Sequence, residues 1–311
     1  MRPVQRDHRA WNRRAWLHGA VAAICGFSAK RAFAAPNETP PPRESRDLAR
    51  EVIPFEKLTP PTQERLWGIV GRPTIYRRMP TQVIGCDPDL YLFFLRNPEV
   101  VVNMWQLMGI SSLQVKRTGN YTFDAKDNAG TQAKVELVYG TPDTHVFLAD
   151  GAYEGPLLKR KTPGKVVLVL KSDYTHDPLK RVHVANQLDA FIQLEQAGAE
   201  FVAKTLQPVI GKTADHNFRE TLTFVSRVSQ ALERNATGVQ RLASRLTLID
   251  PGVRDKFVQV ATAVNHRAIL RGPESLQEAP VDDLSPPVES QPETLVTERP
   301  APAPTVKTRS R

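Results

Sequence analysis

The sequence predicts an α+β fold, in which a curved antiparallel sheet of six or seven strands wraps around a long helix near the C-terminal end. Three stretches carry this prediction. Residues 165–174 form a β-branched run, residues 181–194 alternate between apolar and polar side chains, and residues 215–234 carry apolar side chains at helical spacing. A short turn at Asp177-Pro178 joins the first two stretches, which makes them antiparallel neighbours.

Alternation over residues 181–194 indicates a strand with one face turned toward the core. The odd positions are mostly polar, and the even positions are apolar except for Asn186. The apolar members are Val182, Val184, Leu188, Ala190, Ile192 and Leu194. We expect the polar face to contact water, and we expect helix 215–234 to cover the apolar face.

The basic character of the chain is concentrated in its first 34 residues. The chain has 42 Lys and Arg against 33 Asp and Glu, a formal charge of +9. Seven of these cations and one acid lie in residues 1–34, so the remainder is nearly neutral. A nucleic-acid-binding surface needs a clustered basic stripe. We therefore expect no nucleic-acid partner.

Residues 1–34 have the features of an export signal peptide. Arg13 and Arg14 precede an aromatic residue and a leucine, a pattern that resembles the twin-arginine signature. A modest apolar stretch follows over residues 17–27, and small residues before Ala35 offer a cleavage site. A general secretory signal with incidental arginines is the alternative. We expect a soluble protein exported to the bacterial periplasm or secreted, without a transmembrane segment once the signal is removed.

The segment that follows the signal is predicted to be irregular. Residues 35–47 contain four prolines and no large apolar side chain, which predicts a disordered linker. Residues 48–72 form an N-terminal extension with a short helix at 61–70. Cys86 is the one cysteine after the signal, so no intramolecular disulfide can form.

Residues 73–234 are predicted to contain the folded α+β domain. A strand at 74–84 is restricted by Pro80 to a sheet edge or a bulge. Asp87 and Asn97 each precede a proline and an acidic first turn, so they mark two helix starts. Four shorter strands are predicted at residues 113–118, 121–125, 133–139 and 145–153.

The remaining elements follow from turn residues and helical periodicity. Residues 155–164, rich in proline and cations, predict a surface loop before the long strand pair. A short helix is expected at 199–210, and Asp215 is expected to cap the long one. Residues 235–270 add two more helices, and residues 271–311 predict a disordered proline-rich tail.

This order of elements over residues 73–234 resembles the START-like helix-grip superfamily, in which a bent antiparallel sheet wraps a long C-terminal helix. The resemblance is one of pattern, and no signature motif supports it. The extra helix at 199–210 and the two helices after residue 235 depart from the simple pattern. The resemblance implies a cavity between sheet and helix that takes lipids, sterols or aromatic small molecules, in proteins that bind or act as cyclases.

On this interpretation, the sheet and the long helix contribute a mostly apolar set of ligand-binding side chains. The expected set is Tyr121, Phe123, Leu137, Tyr139, Leu168, Leu170, Asn186, Leu188, Phe218, Leu222 and Val225. The alternative is that the same side chains fill one another's space as an ordinary core. Asn186 distinguishes the two, because a buried amide must bond either to a neighbour or to a ligand.

Motifs for catalysis or metal binding are absent from the sequence. It contains no Gly-x-Ser-x-Gly elbow, no phosphate-binding loop and no zinc-hydrolase helix. Asp173, His176, Asp177 and His183 gather around one turn, where solvation explains them better than a divalent metal. We therefore expect no metal, no cofactor and no catalytic residue.

Three functional hypotheses remain, and the sequence favours the first. In the first, the protein binds an apolar or aromatic small molecule without catalysis. In the second, it is a cyclase- or hydrolase-type enzyme that uses Tyr121, Asn186 or His183 at the cavity mouth. In the third, helices 235–270 and the C-terminal tail dock a protein partner in the cell envelope.

Overall fold

A curved antiparallel sheet of eight strands runs through the protein, and helices pack on both of its faces. The structure is a computed structural model that describes residues 43–155, 158–195 and 207–273. The predicted α+β class and antiparallel pairing are confirmed, and the arrangement is consistent with the helix-grip pattern. Within these ranges, no helix combines the length and apolar character needed to cross a membrane. The predicted signal, and the tail beyond residue 273, lie outside the described residues.

The strands follow one another across the sheet in nearly sequential order. They are β1 Ile75–Arg78, β2 Gln82–Gly85, β3 Gln114–Gly119, β4 Thr122–Lys126, β5 Thr131–Gly140, β6 Thr144–Gly155, β7 Leu158–His176 and β8 Val182–Leu194. The order is β1-β8-β7-β6-β5-β4-β3, and β2 pairs with β8 on the same edge as β1. The long strands β7 and β8 therefore lie where the N-terminal strands meet the meander β3–β6.

The strand predicted over residues 74–84 is divided in two. Strand β1 pairs with the second half of β8, and β2 pairs with its first half. Pro80 lies between them and has no N–H to give to the ladder, which is why pairing stops there. The prediction that Pro80 restricts this segment to a sheet edge is confirmed.

The surface loop predicted over residues 155–164 is wrong. Strand β7 begins at Leu158, and Gly164 pairs with residues on both β6 and β8. The carbonyl of Pro163 accepts a hydrogen bond from the N–H of Glu195 (3.0 Å). Main-chain hydrogen bonds to two neighbouring strands outweigh the weak strand preference of proline and glycine at this place.

Seven helices are present in the described part of the chain. They are α1 Arg43–Glu51, α2 Pro60–Val70, α3 Pro88–Arg96, α4 Pro98–Leu107, α5 Gln207–Arg234, α6 Ala236–Arg245 and α7 Pro251–Arg271, with a 3-10 turn at Phe55–Lys57. Helix α1 begins inside the range 35–47 that was predicted as a linker. As predicted, α3 starts after Asp87, whose carboxylate accepts from the N–H groups of Asp89 and Leu90.

The long helix α5 begins eight residues before its predicted cap. Asp215 lies inside the helix, where its carboxylate accepts hydrogen bonds from the guanidinium of Arg77 on strand β1. The acid that suggested a helix start therefore serves to attach the helix to the edge of the sheet. Residues 199–206 of the predicted short helix lie outside the described residues.

We call the sheet face that α5 covers the inner face. Ile210 near the start of α5 packs with Val166 and Ile192, and the later residues Leu222 and Val225 join a larger core cluster. Side chains of α3, α4, α6 and α7 belong to that same cluster. Residues 235–270 are therefore part of one core with the sheet and not a separate layer.

The opposite face, here called the outer face, is covered by the N-terminal helices. Ala49, Leu66 and Ile69 from α1 and α2 pack against Phe191 of β8. The prediction that the odd positions of β8 contact water is therefore wrong in part, because Phe191 and Asp189 are buried. Asp189 is neutralised there by Arg78, whose Nε lies 2.8 Å from Asp189 Oδ1. The sparse apolar residues of the N-terminal extension were enough to cover half of the sheet.

A buried hydrogen-bonded chain joins helix α3 to the inner face. The hydroxyl of Tyr91 donates to Asn186 Oδ1 on β8 and lies 2.7 Å from the hydroxyl of Ser172 on β7. The amide nitrogen of Asn186 donates to the carbonyl of Val184 (2.8 Å). All three polar side chains are buried, and burial raises the pKa of Tyr91, so its hydroxyl remains a donor.

These hydrogen bonds predict the effect of removing the hydroxyl oxygen of Tyr91. Tyr91→Phe leaves Asn186 Oδ1 and Ser172 without their partner, which should lower the free energy of unfolding by about 1–3 kcal/mol. Tyr121→Phe is the matched control, since Tyr121 is 51% exposed and should change stability by less than about 0.5 kcal/mol. Urea unfolding measures both variants. Equal stability of the two would refute a structural role for the Tyr91 hydroxyl.

Candidate functional site

Four large apolar side chains on the inner face are only partly buried. They are Val135, Phe147, Leu168 and Leu188, and we call them the inner apolar surface. Phe147 and Leu168 are direct cross-strand partners, while Val135 and Leu188 are their diagonal neighbours on β5 and β8. The four side chains thus form one patch across four strands, a distance of roughly 14 Å at the usual strand spacing. Leu168 and Leu188 also pack against the main core cluster, so the patch is the partly covered margin of that core, where an apolar contact could be added.

Most of the predicted ligand-binding residues are core residues. Phe218, Leu222 and Val225 of α5 are buried in one cluster with Leu170 of the sheet. Phe123 is buried beneath the guanidinium of Arg117, 4.7 Å from its ring centre, and Leu137 is buried as well. Of the predicted set, Leu168 and Leu188 belong to the partly buried patch.

Two predicted residues do not lie on the inner face. A bulge between Leu137 and Tyr139 changes the register of β5, so Tyr139 pairs with Val146 and points to the outer face. There its hydroxyl lies 3.4 Å from the ammonium of Lys57. Tyr121 precedes β4 in a turn and is largely exposed. Strict alternation predicts sidedness wrongly wherever an extra residue enters a strand.

Asn186 lies on the inner face as predicted, and protein groups satisfy it. Its oxygen accepts from Tyr91, and its nitrogen donates to the carbonyls of Val184 and Gln82 (2.8 and 3.4 Å). Of the two alternatives that the sequence left open for this amide, bonding to a neighbour is the one observed. The amide of Asn186 therefore needs no ligand to satisfy its hydrogen bonds.

A small cavity lies at the other end of the inner face. Its volume is about 30 Å³, and its lining is almost entirely apolar. Small residues that pair across the strands make the hollow, among them Ala133, Gly151 and Gly164. Thr131 also lines it, and its buried hydroxyl has no hydrogen-bond partner within the described residues. A cavity of this size holds one water molecule and not a whole ligand.

His145 is the most unusual polar residue of the inner face. It is fully buried on β6, and within the described chain neither ring nitrogen has a hydrogen-bond partner. Desolvation, assisted by the positive charge of Arg96, lowers the pKa of His145 to about 4, although Asp143 acts in the opposite direction. The imidazole is therefore neutral at pH 7, with one donor and one acceptor nitrogen unused.

A partly buried ion pair lies at the end of the inner face near β3. Arg117 Nε donates to Glu99 Oε1 (2.7 Å), and Arg117 Nη2 donates to Asn97 Oδ1 (2.8 Å). Burial raises the pKa of Glu99, and the guanidinium of Arg117 opposes that rise. The pair joins the start of α4 to the sheet edge, so its contacts explain it as a structural element.

The residues proposed for catalysis do not converge. Asn186 points to the inner face, His183 to the outer face, and Tyr121 lies in the turn before β4. An enzyme built on these three residues is therefore ruled out by their positions. His183 lies 3.5 Å from Asp177, which the Arg181 guanidinium also contacts. No group of three metal-ligating side chains occurs among the residues that the structure describes.

Sequence reasoning placed none of Val135, Phe147 and His145 in the site. The last two lie on β6. They alternate with Val146 and Leu148, so both faces of this part of β6 are apolar and the sequence gives no sign of which face is which. A stronger signal was available in the chemistry of His145. A histidine inside a continuous apolar strand must find a partner or remain unpaired.

No protein-family model matches the chain, and no curated protein matches it either. Solved structures give weak similarities. A conserved protein from Geobacillus kaustophilus is 15% identical, over 48% of this chain and 91% of that one, with a TM-score of 0.34. The protein jhp0584 from Helicobacter pylori is 12% identical, over 63% and 99%, with a TM-score of 0.33. The di-domain ARO/CYC BexL from the BE-7585A biosynthetic pathway is 12% identical, over 60% and 58%, with a TM-score of 0.29. Function must be argued from this chain's own residues.

Burial of His145 predicts a specific pH dependence of stability. Its folded pKa of about 4 lies below the ordinary value of 6.5, so the unfolded state binds more protons between these values. Stability contributed by neutral His145 is complete above pH 6.5 and is lost as the pH falls toward 4, by on the order of 3 kcal/mol.

His145→Leu should remove this part of the pH dependence, as measured by urea unfolding from pH 7.5 to 4. His176→Leu is the control, because His176 is exposed and should retain the wild-type profile. If both variants follow the wild-type curve, His145 does not titrate differently in the folded protein.

Proposed function

We propose that this protein binds an apolar or aromatic small molecule on its inner face, without catalysing a reaction. The observation that carries the proposal is the partly buried inner apolar surface of Val135, Phe147, Leu168 and Leu188. A side chain that could be buried by ordinary packing, but is left in contact with water, forgoes stabilisation of about 25 cal/mol per Å². A bound apolar molecule would recover it.

The position of the surface also supports binding. It is bordered by buried residues of the sheet, such as Leu170, and helix α5 covers the neighbouring part of the same face. Trp105 of α4 contacts Phe224 of α5 with ring centres 5.8 Å apart, which connects the two helices above the sheet. An apolar floor beside helical walls is the usual form of a small-molecule site.

The other two hypotheses have less support. A cyclase or hydrolase needs polar groups that converge, and the three residues considered for that role lie apart. Helices α6 and α7 contribute Val239 and Phe257 to the common core, while Leu248, Ile269 and Leu270 at their ends are exposed. Docking of a partner by these helices therefore stays a prediction. A tail that recruits an envelope partner stays a prediction from residues 271–311.

Two identical substitutions on one strand test the proposed site. Val135 and Val138 of β5 are both half-buried, but Val135 lies on the inner face and Val138 packs with the outer cluster. Val135→Gln should weaken binding of the neutral fluorescent probe N-phenyl-1-naphthylamine by about tenfold, since it removes one apolar contact. Val138→Gln should leave the dissociation constant unchanged.

Fluorescence titration of the full chain after signal removal gives both constants. Equal effects of the two substitutions would contradict the site, and no saturable binding by the wild type would contradict the function.

We also propose that the protein is exported before it binds its ligand. Support comes from the paired arginines, the apolar stretch and the small residues before Ala35. In a bacterial host with a twin-arginine pathway, Arg13→Lys with Arg14→Lys should retain the precursor in the cytoplasm. Arg2→Lys with Arg6→Lys, which keeps the same charge in the same leader, should not.

Cell fractionation and the size of the chain on a gel measure the outcome. Normal processing of the first pair would indicate export by the general secretory route.

A further inference from the structure

We propose that the ligand of the inner apolar surface is an apolar carboxylic acid, whose carboxylate is bound by His145 and Arg96. This inference rests on the proposed function and specifies its chemistry. The acid group would lie at the edge of the surface, and the apolar body would lie along Phe147, Leu168 and Leu188.

His145 lies beside the inner apolar surface. His145 and Phe147 are two residues apart on β6, so both point to the inner face, and their rings lie 6.4 Å apart and nearly parallel. Across the sheet, His145 pairs with Leu170, which pairs in turn with Leu188. The imidazole is therefore adjacent to the apolar surface at Phe147, while Leu170 separates it from Leu188.

The ring nitrogens of His145 have unused hydrogen-bonding capacity within the described chain. A buried polar group without a partner costs free energy, so native proteins rarely retain one without a reason. Both ring nitrogens of His145 lack a partner in the described chain. A ligand oxygen would supply the acceptor for the ring N–H, at a place where water is excluded.

The charged side chains that act on His145 are Arg96 and Asp143. Arg96 is the last residue of α3, where its side chain lines a groove beside α7, and its positive charge favours lower pKa values for both His145 and Tyr174. Its guanidinium has no ion pair or hydrogen bond with any part of the chain that the structure describes. Asp143 acts on His145 in the opposite direction and less strongly than Arg96, and its carboxylate keeps its charge at an exposed position where solvent screens it. The available partners are thus a neutral donor and an unpaired cation, which together favour an anionic oxygen over a neutral or cationic group.

A ligand can reach His145 only past the ring of Phe147. His145 is fully covered, while Phe147, which stacks beside it, is only partly buried. Entry of the acid group requires the Phe147 ring to turn aside, after which the ring can pack on the apolar body. Phe147 is therefore a cover as well as part of the surface.

Three twelve-carbon probes with different head groups test this assignment. Dodecanoate, dodecanol and dodecyltrimethylammonium compete with N-phenyl-1-naphthylamine for the full chain at pH 7. Dodecanoate should displace the reporter at about tenfold lower concentration than dodecanol, because a charge-assisted hydrogen bond is added. The ammonium probe should be the weakest of the three.

Variants locate the preference at the proposed residues. Arg96→Gln and His145→Leu should each reduce the preference for acid over alcohol to within about twofold, with alcohol binding retained. Arg219→Gln is the control, because Arg219 lies on an exposed side of α5 and should keep the wild-type preference. In the wild type, the ¹⁵N resonances of the His145 ring should shift when dodecanoate is added and not when dodecanol is added.

The outcomes separate this inference from the proposed function. Equal competition by acid and alcohol, or an acid preference that survives both substitutions, would overturn the carboxylate assignment and leave apolar binding intact. Failure of every probe and of the reporter to bind would overturn both. His145→Leu removes an unpartnered polar group, so a loss of acid preference in that variant would not come from unfolding.

Discussion

The hydrogen-bonded chain from Tyr91 through Asn186 and Ser172 fixes how the helices stand on the sheet. It is the one place where a polar side chain of helix α3 reaches the middle of the two longest strands in the described chain. Polar groups buried at this depth must be paired, so the helix cannot slide along the sheet without breaking the pairing. That constraint places Arg96 at the end of α3 near His145.

A second buried group attaches the C-terminal helices to this frame. The carboxylate of Asp87 caps α3 and also accepts two hydrogen bonds from Arg267 of α7 (2.7 and 2.8 Å), while the N–H of Asp87 donates to Ser229 of α5. One residue therefore joins three helices. The anchor explains why α7 is integral to the core. The inner apolar surface lies on the other side of α5, toward β5 and β6.

The class of the fold and most of its elements followed from periodicity, because alternation and helical spacing report the burial of a whole segment. The sheet face on which each side chain lies was less predictable. The bulge at Leu137 and Tyr139 moved one predicted site residue to the opposite face, and no local signal in the sequence marks that insertion. Nor could the sequence show that α1 and α2 cover the outer face, since their apolar residues are few and the partner strands lie far away in the chain. The candidate site was missed because β6 is apolar on both faces, so alternation carries no information there.

Two features of the inner face lower the stability of the folded protein, and ordinary core packing would have avoided both. A leucine in place of His145 would avoid two unpaired nitrogens, and a closer helix would cover Phe147 and Leu168. Both features occur within one contiguous region, whereas the polar groups beneath Tyr91 are fully paired. Sequences that specify a fold tend to break local rules where they perform a function. An imidazole and a guanidinium that lack partners within the described chain, and an apolar strip beside the imidazole, therefore match a molecule with an acidic head and an apolar body.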